Sequence, residues 1–455
     1  MMAESVEAPA RERGSRARLD HAIRDPFWRW TTVAVASALV LRLVWVGFAG
    51  HHKPLGLFDP ARYVGFAGEI AQGKGYVDFF TGQPTSYYPP GYPWFLGVIA
   101  WLQVHGPFGN FLPLAAGLIQ AVLGALTAAF AAIVGRRLVS PRAGILAAIG
   151  IAIYPNLVFH TGAMLSETLY NFLFLAFLAV LLERPWPAGL SNQRITAAAV
   201  LYGLAVLVRP ISLVIVPVLL IVWYMSTRSW SRALRWTGLT VGIVVALILP
   251  WTIRNEVRMH AFVALSTNTG DNLCIGHHPG ANGAFALAEA CNSGEGVQFG
   301  TRSEIRNDQV KTRKTLRYIA HHVGREPWLV TQRAYYMFER DDDALRAVQS
   351  YGMDPWISAK ATLWLSRLAN TFYAVVAILG LIGLIRLALS RRPDRLLLVL
   401  SALATVAVPL AFFGDSRFKV PAMPLLVIAA AAALSRFEPP ANEVSTAASA
   451  GESGV

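Results

Sequence analysis

Ten apolar runs, most of them close to the length of a membrane-crossing helix, constrain this chain more than any other feature. They cover Thr31–Phe48 and then approximately 111–135, 143–160, 168–183, 195–208, 211–227, 237–253, 362–387, 396–413 and 420–435. A helix needs about 20 mostly apolar residues to cross the hydrocarbon of a bilayer. The shorter runs therefore need tilt or local thinning. Hydrophobic residues make up 55% of the 455-residue chain and charged residues 15%, against about 25% charged in soluble proteins. This excludes a disordered chain, a coiled coil and an ordinary cytosolic enzyme. No small-residue cleavage site follows the first run, so it reads as an anchor and not as a removable signal. The expected fold is an all-α polytopic membrane protein with about ten transmembrane helices.

Arginine placement orients these spans. The tail before the first run holds Arg11, Arg13, Arg16, Arg18, Arg24 and Arg29, which predicts a cytoplasmic N-terminus. With ten spans, Arg136, Arg137, Arg142, Arg184, Arg194, Arg228, Arg232, Arg235, Arg386, Arg391, Arg392, Arg395 and Arg436 fall on that same side. The opposite turns hold few basic residues: none near 161–167, Arg209 near 210, and Arg417 with Lys419. The net charge of +13 therefore reflects cytoplasmic loops and not a nucleic-acid partner. The 13-residue stretch Tyr92–Val104 would invert every later loop if it crossed, so it reads as a juxtamembrane or re-entrant helix on the outer face. The resulting organisation is a disordered cytoplasmic tail (1–26), a transmembrane module (27–253) with a first outer loop (49–110), a periplasmic loop region (254–361), C-terminal transmembrane helices (362–438) and a second disordered tail (439–455). No internal repeat is visible, whereas secondary transporters often carry one.

Ionisable residues near membrane depth are expensive and mark function. In the first outer loop, Pro60 suits the first turn of a helix and Asp59 its N-cap. Asp59, Arg62, Phe66 and Glu69 or Ile70 would then share a face. Asp59 and Arg62 are either a cap and a surface cation, or a base beside a phosphate-binding guanidinium. Tyr63, Tyr88 and Tyr92, with the prolines between them, read as an interfacial belt or as the aromatic wall of a sugar or headgroup cavity. Glu167 after Ser166 is a helix-starting signal or a second cavity carboxylate. Arg209-Pro210, Arg254 after Pro250-Trp251, and Arg417 with Lys419 are outer-face cations from distant parts of the chain. They either snorkel to headgroups or converge on one phosphate.

The Gly- and Asn-rich stretch from Ser266 through Asn272 to Gly283 reads as a loop. Cys274 and Cys291, 17 apart, suit a disulfide if the loop faces an oxidising compartment. Residues 303–325, with Lys311, Arg313, Lys314 and Arg317, form an amphipathic basic pattern suited to anionic headgroups. Asp341-Asp342-Asp343 reads as a solvated helix face.

Taken in order, these motifs resemble the GT-C integral-membrane glycosyltransferases, in the bacterial branch related to protein O-mannosyltransferases and the lipid A aminoarabinose transferase. The resemblance rests on Asp59-Pro60-Ala61-Arg62-Tyr63, Tyr87-Tyr88-Pro89-Pro90-Gly91-Tyr92-Pro93, Leu165-Ser166-Glu167-Thr168, Arg209-Pro210, Pro250-Trp251 with Arg254-Asn255, Asn272-Leu273 with Ile275-Gly276, and Ser416-Arg417-Phe418 with Pro421 and Pro424. It implies the GT-C fold and transfer of a sugar from a polyprenyl-phosphate donor to a glycan, lipid or protein acceptor on the outer side of the inner membrane. Asp59 and Glu167 would be catalytic, with Asp59 as general base. Arg62, Arg209, Arg254, Arg417 and Lys419 would bind the donor phosphate, and Tyr63, Tyr88, Tyr92 and Asn272 would line the cavity. No cofactor is required, and a divalent metal stays open. The chain departs from the family where Pro60 replaces an acidic residue, where Tyr87-Tyr88 replace a Glu-Lys pair, and where Glu167 replaces an Asp. A ligase using a pyrophosphate-linked donor and a flippase of lipid-linked sugar are the alternatives. The flippase would need charges inside several spans, and Arg42 is the clearest.

Overall fold

The computed structural model describes residues 25–106, 111–286, 291 and 302–438. Residues 1–24 and 439–455, read above as disordered tails, lie outside the described residues. Among those described, regular structure is helical, and β-pairing is limited to isolated bridges between Val77 and Pro84 and between Ala284 and Gly414.

The helices in chain order are α1 (Pro26–Ala49), α2 (Asp59–Ala71), α3 (Gly91–His105), α4 (Leu112–Leu138), α5 (Pro141–Ile153), α6 (Pro155–Phe159), α7 (Glu167–Leu181), α8 (Asn192–Val208), α9 (Ile215–Thr227), α10 (Trp230–Met259), α11 (Thr269–His277), α12 (Arg302–His321), α13 (Glu326–Phe338), α14 (Asp343–Ala347), α15 (Ala359–Leu389), α16 (Pro393–Ala407) and α17 (Met423–Ala433). A 3-10 turn Pro210–Val214 precedes α9, and another, Ser416–Ala422, precedes α17. Among the described residues, seven segments are long and apolar enough to cross a membrane: α1, α4, Pro210–Thr227, α10, α15, Pro393–Ala411 and Ser416–Ala433. Helices α5, α7 and α8 are shorter and equally apolar in character. The chain is a multi-pass membrane protein.

Local chemistry accounts for most boundaries. Helix α1 starts where Asp25 accepts from the Phe27 amide (2.9 Å) with Pro26 at the first helical position. Its Ala34, Ala38, Arg42 and Val46 recur every four residues and are buried, while Val33, Val40, Val44 and Phe48 are exposed. That small-residue stripe packs on α4 and α5, as membrane helices do when backbones approach closely. A very close approach joins α15 to α17, where a Cβ on Gly383 would fall 1.7 Å from the Ala429 carbonyl oxygen.

Three boundaries differ from the sequence reading. The run 143–160 is not one helix: Tyr154 is extended ahead of Pro155, as the proline ring demands of its predecessor. The carbonyls freed there, of Ile151 and Ala152, accept from the Arg42 guanidinium at 2.9 and 3.1 Å. Pro250 does not end its helix, because α10 continues to Met259. Trp251 Nε1 and Asn255 Nδ2 donate to the Leu265 and Val263 carbonyls at 2.7 and 3.0 Å and tie that extension to the following segment. The Gly/Asn-rich stretch is not all loop, since α11 forms within it.

The stretch Tyr92–Val104 forms α3, which packs on α2 and leaves Trp94, Val98, Trp101, Leu102 and Val104 exposed. Cys274 on α11 is disulfide-bonded to Cys291. At the far end of the bundle, Arg136 pairs with Asp25 (3.4 Å) and Arg395 donates to the Leu138 carbonyl (2.8 Å). Cations there close helix C-termini.

Candidate active site

Asp59 sits in the first turn of α2, and Phe58 occupies the cap position. Its carboxylate does not cap the helix. One oxygen accepts from the Tyr88 hydroxyl at 2.7 Å and the other pairs with Arg417 Nη1 at 2.5 Å. Arg417 belongs to the 3-10 turn before α17, which Asp415 opens by accepting from the Arg417 amide (2.8 Å). The same guanidinium bonds Glu167 through Nε. Glu167 opens α7, is fully buried, and takes a second guanidinium, Arg209 Nη1, at 2.7 Å. Arg209 stands where α8 ends, held extended before Pro210. Four elements distant in sequence thus converge into a chain, Asp59–Arg417–Glu167–Arg209. The second oxygen of Glu167, Oε2, has no hydrogen-bond partner among the described residues.

An aromatic wall backs this chain. Tyr63 is buried with its ring centroid 5.1 Å from both Tyr88 and Tyr92, each edge-on. Tyr92 donates to Gln120 Oε1 (3.1 Å), and the Gln120 amide donates to the carbonyls of Thr161 and Ala163 just before Glu167 (3.1 Å each). Burial pushes the Tyr88 phenol well above its ordinary pKa, and the Asp59 charge pushes it further. Tyr88 therefore keeps its proton and donates a hydrogen bond to Asp59.

The structure separates the remaining sequence candidates from this chain. Arg62 does not pair with Asp59; its Nε donates to the Leu57 carbonyl at 3.0 Å. Arg254 is spent on the Tyr76 carbonyl, the Thr85 carbonyl (2.8 Å) and Asn255 Oδ1 (2.9 Å), where it braces the first loop. Asn272 lies half-buried on α11. Lys419, two residues after Arg417 in a turn of about three residues per revolution, points elsewhere. It is fully buried against Asp341 (3.1 Å), over the Tyr373 ring.

That last contact corrects the reading of the acidic triplet. Asp341, Asp342 and Asp343 are buried, not solvated. Asp342 pairs with Arg340 (3.3 Å) and accepts from Ser366 (2.6 Å). Asp343 pairs with His160 (3.1 Å) and accepts from Asn156 Nδ2 (2.7 Å), both beside the Pro155 break. Burial raises the Asp341 carboxyl, with Asp343 adding to the rise and Lys419 opposing it. The sequence offered one clue: a lysine inside an apolar segment such as Phe418–Pro421 requires an acidic partner.

A polar seam joins the first loop to α11 and α12. Glu304 accepts from Thr85 Oγ1 (2.7 Å), the Ser86 amide (3.1 Å) and Thr267 Oγ1. Asp271 accepts from the Tyr87 hydroxyl (2.8 Å) and Lys311 (2.5 Å), so Lys311 faces protein. Arg313, Lys314 and Arg317 remain exposed. Asp308 accepts from the Gly270 amide (2.6 Å).

These residues do not form a metal set. Asp59 is engaged by Tyr88 and Arg417, Glu167 by two arginines, and no cluster of three or more His, Cys, Asp or Glu suited to a metal occurs among the described residues.

No protein-family model matches the chain, and no curated protein matches it in sequence. Its backbone does match solved structures. The oligosaccharyltransferase of Archaeoglobus fulgidus in its apo form aligns with TM-score 0.54 and 15% identity, over 90% of this chain and 50% of that one. The same archaeal protein, AglB, solved with an inhibitory peptide and a dolichol-phosphate aligns with TM-score 0.51 and 14% identity over the same shares. ArnT from Cupriavidus metallidurans in the apo state aligns with TM-score 0.39 and 18% identity, over 89% of this chain and 76% of that one. The chain spans about half the length of the archaeal protein. Its helical bundle has the GT-C fold.

Proposed function

We propose that this protein is a glycosyltransferase that moves a sugar from a polyprenyl-phosphate donor to an acceptor hydroxyl on the periplasmic or extracellular face of the inner membrane, with inversion at the anomeric carbon. The observation that carries the reading is the chain Asp59–Arg417–Glu167–Arg209. It pairs one partly exposed carboxylate with two guanidiniums at the end of the bundle where the arginine-poor turns lie. The GT-C fold supports it, as does the dolichol-phosphate held by the archaeal neighbour.

Asp59, 33% exposed, can reach a substrate, whereas Glu167 at 0% cannot without rearrangement. In the reaction, Asp59 accepts the proton of the acceptor hydroxyl while the acceptor oxygen bonds to the anomeric carbon. The bond from that carbon to the phosphate oxygen breaks, and its electron pair leaves with the polyprenyl phosphate. Arg417 and Arg209 stabilise the charge that develops there. Glu167 holds both arginines in place, and Tyr88 orients Asp59. Tyr63 and Tyr92, buried edge-on to one another, back the site and hold its shape. The acceptor is a glycan, lipid or protein of the cell envelope, and the N-terminus is cytoplasmic. The same archaeal neighbour has been solved with zinc and sulfate. The side chains here do not offer a metal's ligands, and no step is routed through one.

Arg42 weighs against the flippase reading. It donates to the carbonyls of Ala38, Ile151 and Ala152, which is a structural use of a mid-span charge. The test is transfer in liposomes from a panel of radiolabelled polyprenyl-phosphate sugars to crude membrane acceptor. The expected result is turnover of one donor and a loss of about 100-fold or more in Asp59→Asn. Equal turnover in the two proteins would refute the assignment of Asp59. Turnover only from pyrophosphate donors would favour the ligase.

A further inference from the structure

The two carboxylates and two guanidiniums of the site are bonded to one another. Their charges sum to zero, and the carboxylates take three of the six guanidinium nitrogens that an anionic substrate would use. Arg417 gives Nη1 to Asp59 and Nε to Glu167, while Arg209 gives Nη1 to the same oxygen of Glu167. Both oxygens of Asp59 are engaged, one by the Tyr88 hydroxyl and the other by Arg417, so neither is open to an acceptor hydroxyl. In this arrangement Asp59 is therefore masked.

The two carboxylates are not equivalent competitors. Glu167 is buried, lies at the start of a helix and holds two arginines. Asp59 is one-third exposed, holds one arginine, and accepts from Tyr88 through its other oxygen. Asp59 is thus the carboxylate that an incoming anion displaces.

We propose that the donor phosphate unmasks the base: by taking Arg417 from Asp59 it frees that carboxylate to receive the acceptor's proton, so that donor binding must precede acceptor activation. This rests on the reading of the site as a phosphate-binding one. It gives the Asp59–Arg417 pair a role that neither partner has alone, a guard against activating a hydroxyl, water included, when no sugar donor is present.

The proposal makes a prediction of opposite sign to simple loss of a site residue. Removing the charge of Asp59 removes the competitor for Arg417, so Asp59→Asn binds a polyprenyl phosphate more tightly than wild type while it fails at transfer. The apparent affinity rises by the reciprocal of the fraction of molecules that were already unmasked. We expect about two- to fivefold tighter binding for a partly exposed pair. The experiment measures binding of radiolabelled undecaprenyl phosphate to the full chain in neutral-lipid nanodiscs, for wild type, Asp59→Asn and Tyr88→Phe. Tyr88→Phe removes a hydrogen bond to the same carboxylate without altering its charge, and controls for loosening of the loop. Tighter binding by Asp59→Asn with none by Tyr88→Phe is the expected result. Unchanged or weaker binding by Asp59→Asn, with wild type binding measurably, would overturn the unmasking and leave the phosphate site standing. Equal tightening in both variants would also overturn it, since loosening would then be the cause. Absence of binding in all three, in protein with an unchanged melting profile, would overturn the phosphate site and the unmasking together.

Discussion

Glu167→Gln tests the site at its most buried point. The side chain is fully buried, and one of its oxygens receives both Arg209 Nη1 and Arg417 Nε. A glutamine carbonyl placed there keeps both hydrogen bonds and loses only the charge. A hydrogen bond to a charged acceptor contributes roughly 1 kcal/mol more than one between a charged donor and a neutral acceptor. Two such bonds give about 2 kcal/mol. Two guanidiniums, 13% and 14% exposed, are then left sharing a neutral oxygen, so the repulsion adds to this, toward the roughly 3–5 kcal/mol of a broken buried pair. The assay is unfolding of the purified protein in a fixed detergent, followed by tryptophan emission and by loss of monodisperse protein. The variant should melt several degrees lower. Inorganic phosphate should then restore part of the loss as it fills the position of the missing charge, an effect that grows with concentration as ligand linkage requires. Wild type should respond less, because its arginines are already occupied. A Glu167→Gln protein that melts with wild type, with or without phosphate, would refute the claim that this carboxylate holds the arginines.

Other expectations follow from the packing and the seam. Gly383→Ala places a methyl 1.7 Å from the Ala429 carbonyl oxygen and should destabilise the α15–α17 contact by about 1–3 kcal/mol or more, read as a lowered melting midpoint; Gly238→Ala, where a Cβ meets nothing, should not. Burial pushes the Asp308 carboxyl above the ordinary carboxylate range, with Asp271 and Glu304 adding to the rise and the Gly270 amide and Lys311 opposing it. The folded protein then binds this proton more tightly than the unfolded chain, so stability falls as pH rises from the ordinary carboxylate range through the raised value. Asp308→Asn should flatten that step in a melting-versus-pH series, and an unchanged step would remove Asp308 as its source. Cys274→Ser with Cys291→Ser opens a loop of 17 residues and should weaken that region by about 3 kcal/mol, seen as faster protease cleavage between α11 and α12 with the spans intact.

Much of this architecture was legible because it depends on local composition. The apolar runs, the break at Arg209-Pro210, the helix start at Glu167 and the short helix after Pro90 all follow from hydropathy, proline geometry and capping. What the sequence concealed is pairing across distance. Helical spacing made Arg62 the natural partner of Asp59, yet the partner is Arg417, 358 residues away. The acidic triplet looked solvated because three adjacent aspartates satisfy every local rule for a surface. Lys419 from one element and His160 and Asn156 from another, with Arg340 and Ser366 on Asp342, make its burial tolerable. Hydropathy does not reveal the break at Pro155, because apart from Asn156 the run on either side, Ile151–Tyr154 and Leu157–Phe159, is apolar or aromatic. Arg254 was read as a ligand site and is a brace, a distinction set by which carbonyls surround it.

The arginine in α1 has a consequence for how the protein is made. Arg42 is buried, and two of its three carbonyl partners come from the end of α5, up to 110 residues later in the chain. An arginine at the centre of a lone membrane helix is penalised by roughly 2.5–3.5 kcal/mol on insertion scales. At about 5–20 residues per second, the ribosome takes several seconds or more to deliver those carbonyls. Through that interval α1 must be held in the bilayer by its valines, leucines and tryptophans alone, or shielded by the insertion machinery. The first helix of this protein is therefore committed before it is stable, and its docking on α5 is a checkpoint in biogenesis that a chain truncated before Ile151 would never pass.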